Sequence, residues 1–367
     1  MNHFTAAAAA LIATTAAANA GGIDRNQFTT GILFEEGTYA ELSFGHVDPA
    51  VSGTGLGAGS GDVTPTYNFA TLSYRQDITD QLSFAFVIDE PIGANVSYPG
   101  GTGYIFATSF AELESRQMTA ILRYETANNM SVYGGIRAVQ ATGDVYVNVA
   151  GNFSYRLNTE SDYGLGYMVG AAYERPDIAM RVALTYFSEV DLSLSGTEGV
   201  VPGGGVAPAA VPVAANAFDI TLPQSVLLEA QSGIAADTLL FGSVRWTNWD
   251  GFRITPGGYP AGNLVEYNSD VWTYTLGVGR RLNENWSVSA TVAYDTPQGG
   301  FVGNLGPTDG FTSVSLGAEY AQNNFTIAGG VRYIMVGDAE TQLGGGFTSS
   351  FADNDAVAVG VRFGYQF

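Results

Sequence analysis

The sequence predicts an all-β fold, a transmembrane antiparallel β-barrel of about 14 strands. Three observations support this prediction. Apolar residues alternate with small or polar residues in successive segments of roughly ten residues, the two-residue period of β-strands. Short polar turns alternate with long connections rich in Gly and Pro, and the chain ends in an alternating strand that finishes at Phe367. Outer-membrane barrels combine these features, because one strand face meets lipid and the other lines the interior.

The composition fits an exported membrane protein. Charged residues make up 13% of the 367 residues, and the formal net charge is −21. Such an acidic chain is unsuited to nucleic acid, whose phosphates require Lys and Arg. Beyond the N-terminus, no apolar run is long enough to cross a bilayer as a helix. The chain has no cysteine, which excludes disulfides and thiolate metal sites, and we expect neither a metal nor a cofactor.

The first 20 residues have the features of an export signal. Their middle is apolar, and they end in Ala18-Asn19-Ala20, the small-residue pattern that signal peptidase reads. We therefore predict a signal peptide over 1–20, a short N-terminal segment over 21–37 and the barrel over 38–367. A disordered Ala-rich tail is the alternative for 1–20. The predicted location is the outer membrane of a Gram-negative cell.

Individual strands show two distinct faces. Trp286, Val292 and Tyr294 fall on one face of their strand, and Ser287 and Ser289 fall on the other. The final strand has an apolar face of the same kind, formed by Val357, Val359, Val361, Phe363, Tyr365 and Phe367. Barrel-assembly machinery typically recognises a final strand that ends in a C-terminal Phe, which here is Phe367. Closure of the sheet is required, because an open edge in lipid leaves backbone N–H and C=O groups unpaired.

Turns and loops alternate along the chain. Tight polar turns are predicted near 77–80, 126–129, 175–177, 235–237, 283–285 and 322–324. Longer connections are predicted near 49–64, 94–109, 148–161, 195–217, 251–266, 296–310 and 337–353. This alternation indicates seven hairpins and hence fourteen strands. A soluble sandwich also alternates, but its strands are shorter and its polar face carries more charge. The charged residues of the strands are few and fall mostly on the small-residue face. The candidate lumenal polar residues are Arg123, Arg137, Arg181, Glu189, Arg245, Arg332 and Arg362.

The segment GYMVGAAYERPDIAMRVALTYFSEVDLSLSG, residues 166–196, resembles the FadL-type family of outer-membrane transporters for long-chain fatty acids and other hydrophobic compounds. Further resemblances are Leu222-Pro223 at the start of a strand, Trp246 and Trp249 before Phe252, and ENWSVSATVAYDTPQ over 284–298. The resemblance extends over most of the chain from Thr38 onward, and the predicted strand number agrees with that of the family.

The resemblance implies an N-terminal plug. In the family, a small hatch fills the barrel and the mature N-terminus reaches into the binding pocket. The nearest counterpart here is NQFTTG, residues 26–31, with Asn26, Gln27 and Phe28 as the plug residues. The family's Asn-Pro-Ala hatch motif is absent, and only residues 21–37 precede the first strand. We therefore expect the plug to be reduced, or another loop to fill the lumen.

The resemblance also implies an opening in the barrel wall, because the family's third strand kinks inward. The third predicted strand here runs into Asp89, Glu90, Pro91, Ile92 and Gly93. Proline lacks the N–H that a neighbouring strand needs, and glycine tolerates unusual dihedral angles. We expect a lateral-gate kink at these five residues. The alternative is that they have already passed into an external loop.

The resemblance implies passive transport of a hydrophobic small molecule, either a fatty acid or an aromatic hydrocarbon, with lateral exit into outer-membrane lipid. The apolar loop over 200–218 is the candidate capture surface, with a flexible spacer as the alternative. Asp89 and Glu90 are poor partners for a carboxylate ligand unless they are protonated or paired with a lumenal Arg. The alternatives are that they keep the gap hydrated or that they bridge to Arg116 or Arg123. This favours a neutral ligand. We expect the chain to be a monomer.

A general diffusion porin for small hydrophilic solutes is the main alternative, and it requires a water-filled lumen with segregated charge. An enzyme is disfavoured, because His46 is the only histidine after the signal and no Gly-x-Ser-x-Gly motif occurs. An adhesive barrel is a further alternative. The stretch GTGLGAGSG over 53–61 lacks the Gly-Lys-Ser/Thr of a phosphate-binding loop, so we predict a flexible external loop there.

Overall fold

The chain forms a closed antiparallel barrel of fourteen strands, as predicted. This computed structural model describes residues 23–25, 28–343 and 346–367. The predicted signal peptide over 1–20 and the predicted plug residues Asn26 and Gln27 lie outside the described residues. Strands β3, β6, β7 and β8 each consist of two segments separated by a short interruption.

The strands have the following bounds: β1 Tyr39–Ala50, β2 Tyr67–Asp77, β3 Leu82–Asp89 and Ala94–Ser97, β4 Phe110–Glu125, β5 Met130–Val149, β6 Phe153–Ser161 and Gly164–Arg175, β7 Met180–Phe187 and Val190–Pro202, β8 Ala214–Leu222 and Ser225–Ala235, β9 Thr238–Thr247, β10 Val271–Arg281, β11 Trp286–Asp295, β12 Phe311–Gln322, β13 Phe325–Val336 and β14 Asp355–Gln366.

Each strand pairs with its neighbours along the chain, and the first strand pairs with the last. The closing ladder runs from the pair Tyr39 and Gln366 to the pair Ala50 and Asp355. This ladder is long and unbroken, so the sheet has no open edge where it closes.

The two strand faces differ as the sequence predicts. Val359 is 47% exposed and Trp286 is 45% exposed on the outer face, whereas Ala358 is 1% exposed and Arg362 is 2% exposed on the inner face. An apolar outer surface and a smaller, more polar inner surface are what a barrel in lipid requires.

The predicted short turns are confirmed at one end of the barrel, here called the turn end, but two of the predicted long connections were wrong. The first segment of β6 occupies most of 148–161. The strands β7 and β8 extend through much of 195–217 and leave only 203–213 between them. Gly, Ala and Ser are common in these stretches and have low strand propensity, but cross-strand pairing overrides it. The candidate capture loop is correspondingly shorter than expected.

The connections at the other end, here called the loop end, build a small sheet of their own. Its segments are Ser52–Gly55, Ala58–Asp62, Phe301–Val302, Ala339–Leu343 and Phe347–Phe351. Tyr104 stacks on Tyr98 at 5.4 Å between ring centroids and meets Phe351 edge-on at 6.5 Å beneath this sheet. The stretch 53–61, predicted as a flexible external loop, lies at the loop end and contains two short strands, which pair with each other and with residues 349–351.

Among residues 23–25, 28–343 and 346–367, helical structure is limited to single turns over Gly31–Phe34, Pro176–Ile178 and Pro208–Ala210. Within the described residues, no helix combines the length and the apolar character needed to cross a membrane.

The segment before β1 lies inside the barrel near the turn end. Leu33 and Phe34 are buried, and the guanidinium of Arg181 lies 4.1 Å from the centre of the Phe34 ring. The backbone N–H of Thr30 donates to Glu229 of β8 at 3.1 Å, and the Thr30 hydroxyl donates to the same carboxylate. These contacts hold residues 28–38 against the inner face of the strands.

Candidate functional site

The interruption of β3 lies where the sequence predicts a kink. Asp89 pairs with Gln117 of β4, and Ala94 pairs with Leu113, so residues 90–93 stand opposite only 114–116. The extra residue bends the strand as a bulge does, and Pro91 has no N–H to offer a neighbour. The ladder between β2 and β3 ends at the pair Leu72 and Ile88, although β2 begins at Tyr67.

Residues 23–25 of the N-terminal segment provide partners for the interrupted backbone. The N–H of Gly93 donates to the carbonyl of Ile23 at 2.8 Å, and the N–H of Arg25 donates to the carbonyl of Pro91 at 3.0 Å. Asp24 and Ile92 form a bridge between these bonds. Buried backbone polar groups need such partners, so the N-terminal segment takes over pairing that β2 gives up.

Arg25 extends from this junction to the rim of β2. Its guanidinium lies 3.8 Å from the centre of the Tyr67 ring, and the side chain is buried. A Cβ at Gly93 would lie 2.6 Å from Arg25 Nε and 2.7 Å from Arg25 Cγ, so only glycine leaves room for this side chain. Burial lowers the pKa of Arg25, and Tyr67 and three nearby carboxylates oppose that shift: Glu90, Glu114 and Glu112.

An apolar cavity, here called the upper chamber, lies on the loop side of this junction. It encloses about 1270 Å³ of empty space, part of it open to solvent. Its lining is largely aliphatic and includes Ile23, Val96, Leu113, Leu194, Ile220 and Leu264. Glu112 and Glu266 contribute the only charged side chains among the described lining residues. The chamber can therefore hold an apolar molecule away from water.

A second cavity, here called the lower cavity, lies on the turn side of the same junction. It encloses about 590 Å³ of empty space. Arg137, Arg245 and Asp24 are its charged lining residues among those described, and Gln117, Thr119, Ser225 and Thr247 add polar groups. Ile23 faces the upper chamber and Asp24 faces the lower cavity. The N-terminal segment thus separates an apolar space from a polar one.

Asp89 is buried and engaged by neighbours other than those expected. Gln117 Nε2 donates to Asp89 at 2.9 Å, and Arg137 Nε donates to the side-chain oxygen of Gln117 at 3.0 Å. Asp89 forms no ion pair with Arg116 or Arg123, because Arg116 is exposed and Arg123 forms an ion pair with Glu174 at 2.6 Å.

Most of the predicted polar residues face the barrel interior. Arg332 donates to Ser313 at 2.9 Å, Arg362 pairs with Glu319 at 2.9 Å, and Arg181 donates to Gln231 at 3.2 Å. The placement of Glu189 differs from the expectation. Its side chain is exposed, because the interruption of β7 at 188–189 shifts the alternation of faces by one residue.

Phe28 is the one predicted plug residue that the structure describes. Its ring meets Phe187 of β7 edge-on at 5.8 Å, and it lines the lower cavity. Ile23, Asp24, Arg25 and Trp249 also belong to the site, but sequence reasoning gave them no role there. The charged pair Asp24-Arg25 in an otherwise uncharged stretch was the available signal.

The chain matches the model of a family described as outer membrane protein transport protein (OMPP1/FadL/TodX) over residues 6–367. No curated protein matches it in sequence. Among solved structures, it is similar to a Pseudomonas aeruginosa FadL homologue, with 17% identity, a TM-score of 0.79 and 92% of each chain covered. It is also similar to the P. putida toluene transporter TodX, with 13% identity, a TM-score of 0.69, and 92% of this chain and 91% of that chain covered. The Ralstonia pickettii toluene transporter TbuX gives 15% identity, a TM-score of 0.62 and the same coverages.

Proposed function

Because the chain belongs to the outer membrane protein transport family of OMPP1, FadL and TodX, we propose that it carries long-chain fatty acids or aromatic hydrocarbons passively across the outer membrane of a Gram-negative cell. The ligand enters the upper chamber from the loop end and leaves sideways at the interruption of β3. In this proposal residues 1–20 are removed on export, residues 21–37 act as a reduced plug, and a single 38–367 barrel is the working unit in outer-membrane lipid after assembly through Phe367.

The observation that carries this proposal is the junction of the upper chamber with the β3 interruption. Ile23 lines the chamber and also accepts a hydrogen bond from Gly93. A ligand that fills the chamber therefore presses on the residues that complete the wall. Each methylene that leaves water gains ~0.8 kcal/mol, so a dry chamber suits an apolar ligand better than a wide aqueous pore does.

The porin alternative fits the site less well. A diffusion porin needs a water-filled path along the barrel axis, whereas here an aliphatic chamber lies above a junction that residues 23–25 and 91–93 occupy. Single-channel conductance of the purified chain tests this directly. We expect a conductance far below that of an open pore.

A reversible disulfide tests the lateral route. The chain contains no cysteine, and Asp24 and Ile92 are bridge partners whose side chains line the same cavity. The double variant Asp24→Cys/Ile92→Cys should therefore form a single disulfide that fixes residues 23–25 to the kink. We expect uptake of a labelled fatty acid and of a labelled aromatic hydrocarbon into liposomes to fall about ten-fold on oxidation. A ten-fold change corresponds to ~1.4 kcal/mol. Reduction should restore it.

The reduced double variant is the matched control, since it has the same two substitutions without the bond. Uptake that stays unchanged after complete oxidation would rule out lateral exit under the control of this segment.

A further inference from the structure

The connection between β9 and β10 contains a compact unit at the loop end, residues 251–267, here called the lid. Residues 253–254 pair with 265–266 and give the lid a short hairpin. Arg253 joins the two arms of this hairpin through an ion pair with Glu266 at 2.8 Å. Because these contacts lie within the lid, it can move as one body on the ends of β9 and β10.

The underside of the lid forms part of the lining of the upper chamber. Ile254, Leu264 and Val265 contribute aliphatic side chains to this lining, and Ile254 and Leu264 are buried. Glu266 also lines the chamber, but the ion pair with Arg253 compensates its charge. The lid therefore presents an apolar surface without net charge to a ligand in the chamber.

The tip of the lid reaches past β8 to β7 and β6. The backbone N–H of Gly258 donates to Oε1 of Glu198 on β7 at 2.9 Å, and the Tyr155 hydroxyl donates to Oε2 of the same carboxylate at 2.8 Å. The ring of Tyr259 meets Tyr155 edge-on at 5.0 Å and Phe153 at 5.9 Å, both on β6. Glu198 thus connects the tip of the lid to the opposite wall.

This connection is the main polar contact of the lid with the barrel. Among residues 23–25, 28–343 and 346–367, the hydrogen bonds of the lid stay within 249–268 except for the one from Gly258 to Glu198. A Cβ at Gly258 would lie 2.9 Å from Cδ of Glu198, so the tip lies directly against this carboxylate. Segments with few contacts to their surroundings open more readily than the strands that carry them. One hydrogen bond to a charged group is therefore enough to bias the lid toward its closed position.

We propose that residues 251–267 are the entry lid of the upper chamber and that Glu198 is a positioning residue that holds this lid closed. The inference rests on the proposed function and deepens it, because it names the step by which an apolar ligand enters from the loop end. When the bond between Gly258 and Glu198 breaks, the tip leaves β6 and β7 and the chamber opens. A lid that closes equally well over an empty and a filled chamber changes the association and dissociation rates by the same factor and leaves Kd unchanged.

A reversible disulfide at the tip tests the lid. The double variant Glu198→Cys/Gly258→Cys places two thiols at the contact between lid and wall, in a chain without other cysteines. Binding of 1-N-phenylnaphthylamine, a neutral apolar fluorophore, is followed by stopped-flow fluorescence in a non-ionic detergent. The oxidised and reduced forms of the same variant are compared, so that partitioning into micelles cancels. Oxidation should lower the association rate and the dissociation rate about ten-fold each and change Kd less than two-fold.

Single substitutions at Glu198 should have the opposite effect. Glu198→Ala should raise both rates about five-fold, because the N–H of Gly258 loses its acceptor. Glu198→Gln should stay within about two-fold of the wild type, since its amide oxygen still accepts from Gly258 and its amide N–H can donate to the Tyr155 hydroxyl. Glu160→Ala, which removes an exposed carboxylate of β6, is the control and should change neither rate.

Three results would overturn the lid and leave the proposed function standing, provided that the wild type binds the fluorophore. Equal rates in the oxidised and reduced forms would mean that the tip does not control entry. Failure of the two cysteines to form a disulfide would mean that the tip does not rest on position 198. A changed Kd with an unchanged association rate would mean that Glu198 only shapes the chamber. A wild type that binds no fluorophore would instead overturn the upper chamber as a ligand site, and with it both the proposed function and the lid.

Discussion

Two strands of this barrel are interrupted next to a proline, and the results differ. In β8 the residues Pro223 and Gln224 separate two segments, yet the pairs Leu222 with Val190 and Ser225 with Phe187 keep the same register against β7. In β3 the interruption adds one residue relative to β4, and the ladder with β2 ends. A proline therefore does not shift the register of a strand by itself. In β3 an extra residue accompanies it, and residues 23–25 inside the barrel satisfy backbone groups of the interruption.

The largest expected effect follows from the tight contact at Gly93. In Gly93→Ala the new Cβ would lie 2.6 Å from Arg25 Nε and 3.0 Å from the carbonyl oxygen of Leu113, so the Arg25 side chain must shift and its packing beside residues 91–93 is lost. We expect protection of the 90–97 backbone against hydrogen exchange to fall about a hundred-fold, ~2.7 kcal/mol. The matched control is Gly134→Ala, where the nearest atom would be 3.5 Å away. Equal effects of the two substitutions would mean that Arg25 does not occupy this space in solution.

A smaller effect is expected for the Arg25 side chain itself. Arg25→Ala removes the contact with the Tyr67 ring, and a desolvated cation–π contact contributes up to about 2 kcal/mol. Protection of the same backbone should therefore fall roughly ten-fold. For comparison, Arg175→Ala removes an exposed ion pair with Asp177 at the turn end, where water screens the charges, and it should leave this protection unchanged. If protection in Arg25→Ala equals that of the wild type, the backbone hydrogen bonds alone hold residues 23–25 at the β3 interruption.

The sequence predicts the barrel and the position of the β3 interruption, but not the residues that fill it. Alternation identifies Trp286 and Val359 as outward residues because the period of a strand is local. Pro91 and Gly93 signal a break for the same reason. The pairing of Ile23 and Arg25 with residues 91–93 is a contact between distant parts of the chain, and periodicity carries no information about it. Glu189 was misplaced because a two-residue interruption reverses the faces of a strand.

The pH dependence of the junction gives a further comparison of β3 with β8. Burial raises the pKa of Asp24, so its docking is most stable below the ordinary aspartate pKa and loses stability as pH rises through the raised value. After correction for the intrinsic exchange rate, protection of the Gly93 N–H should fall about three-fold or more between pH 4 and pH 8. The groups that act on Asp24 or feel its charge are Arg245, Trp249, Arg137, Tyr267 and Asp295.

Two controls isolate the contribution of Asp24. Asp24→Asn keeps the shape of the side chain but cannot titrate, so its protection should not vary with pH. The β8 segment around Pro223 should also show no such trend in the wild type. Protection that rises with pH would mean that pairing with the two arginines outweighs burial.

The smallest expected effect concerns the two prolines. Pro91→Ala adds an N–H, but it does not remove the extra residue or return the segment to β2, so protection of the 90–97 backbone should change less than about two-fold. Pro223→Ala should likewise have little effect, because the pairs on both sides of it are already in register. If Pro91→Ala restored a full ladder with β2, seen as strong new protection over 67–71 and 90–97, the proline alone would account for the opening. Residues 23–25 would then not be needed to maintain the interruption. The difference between β3 and β8 would be explained by the residues that surround each proline.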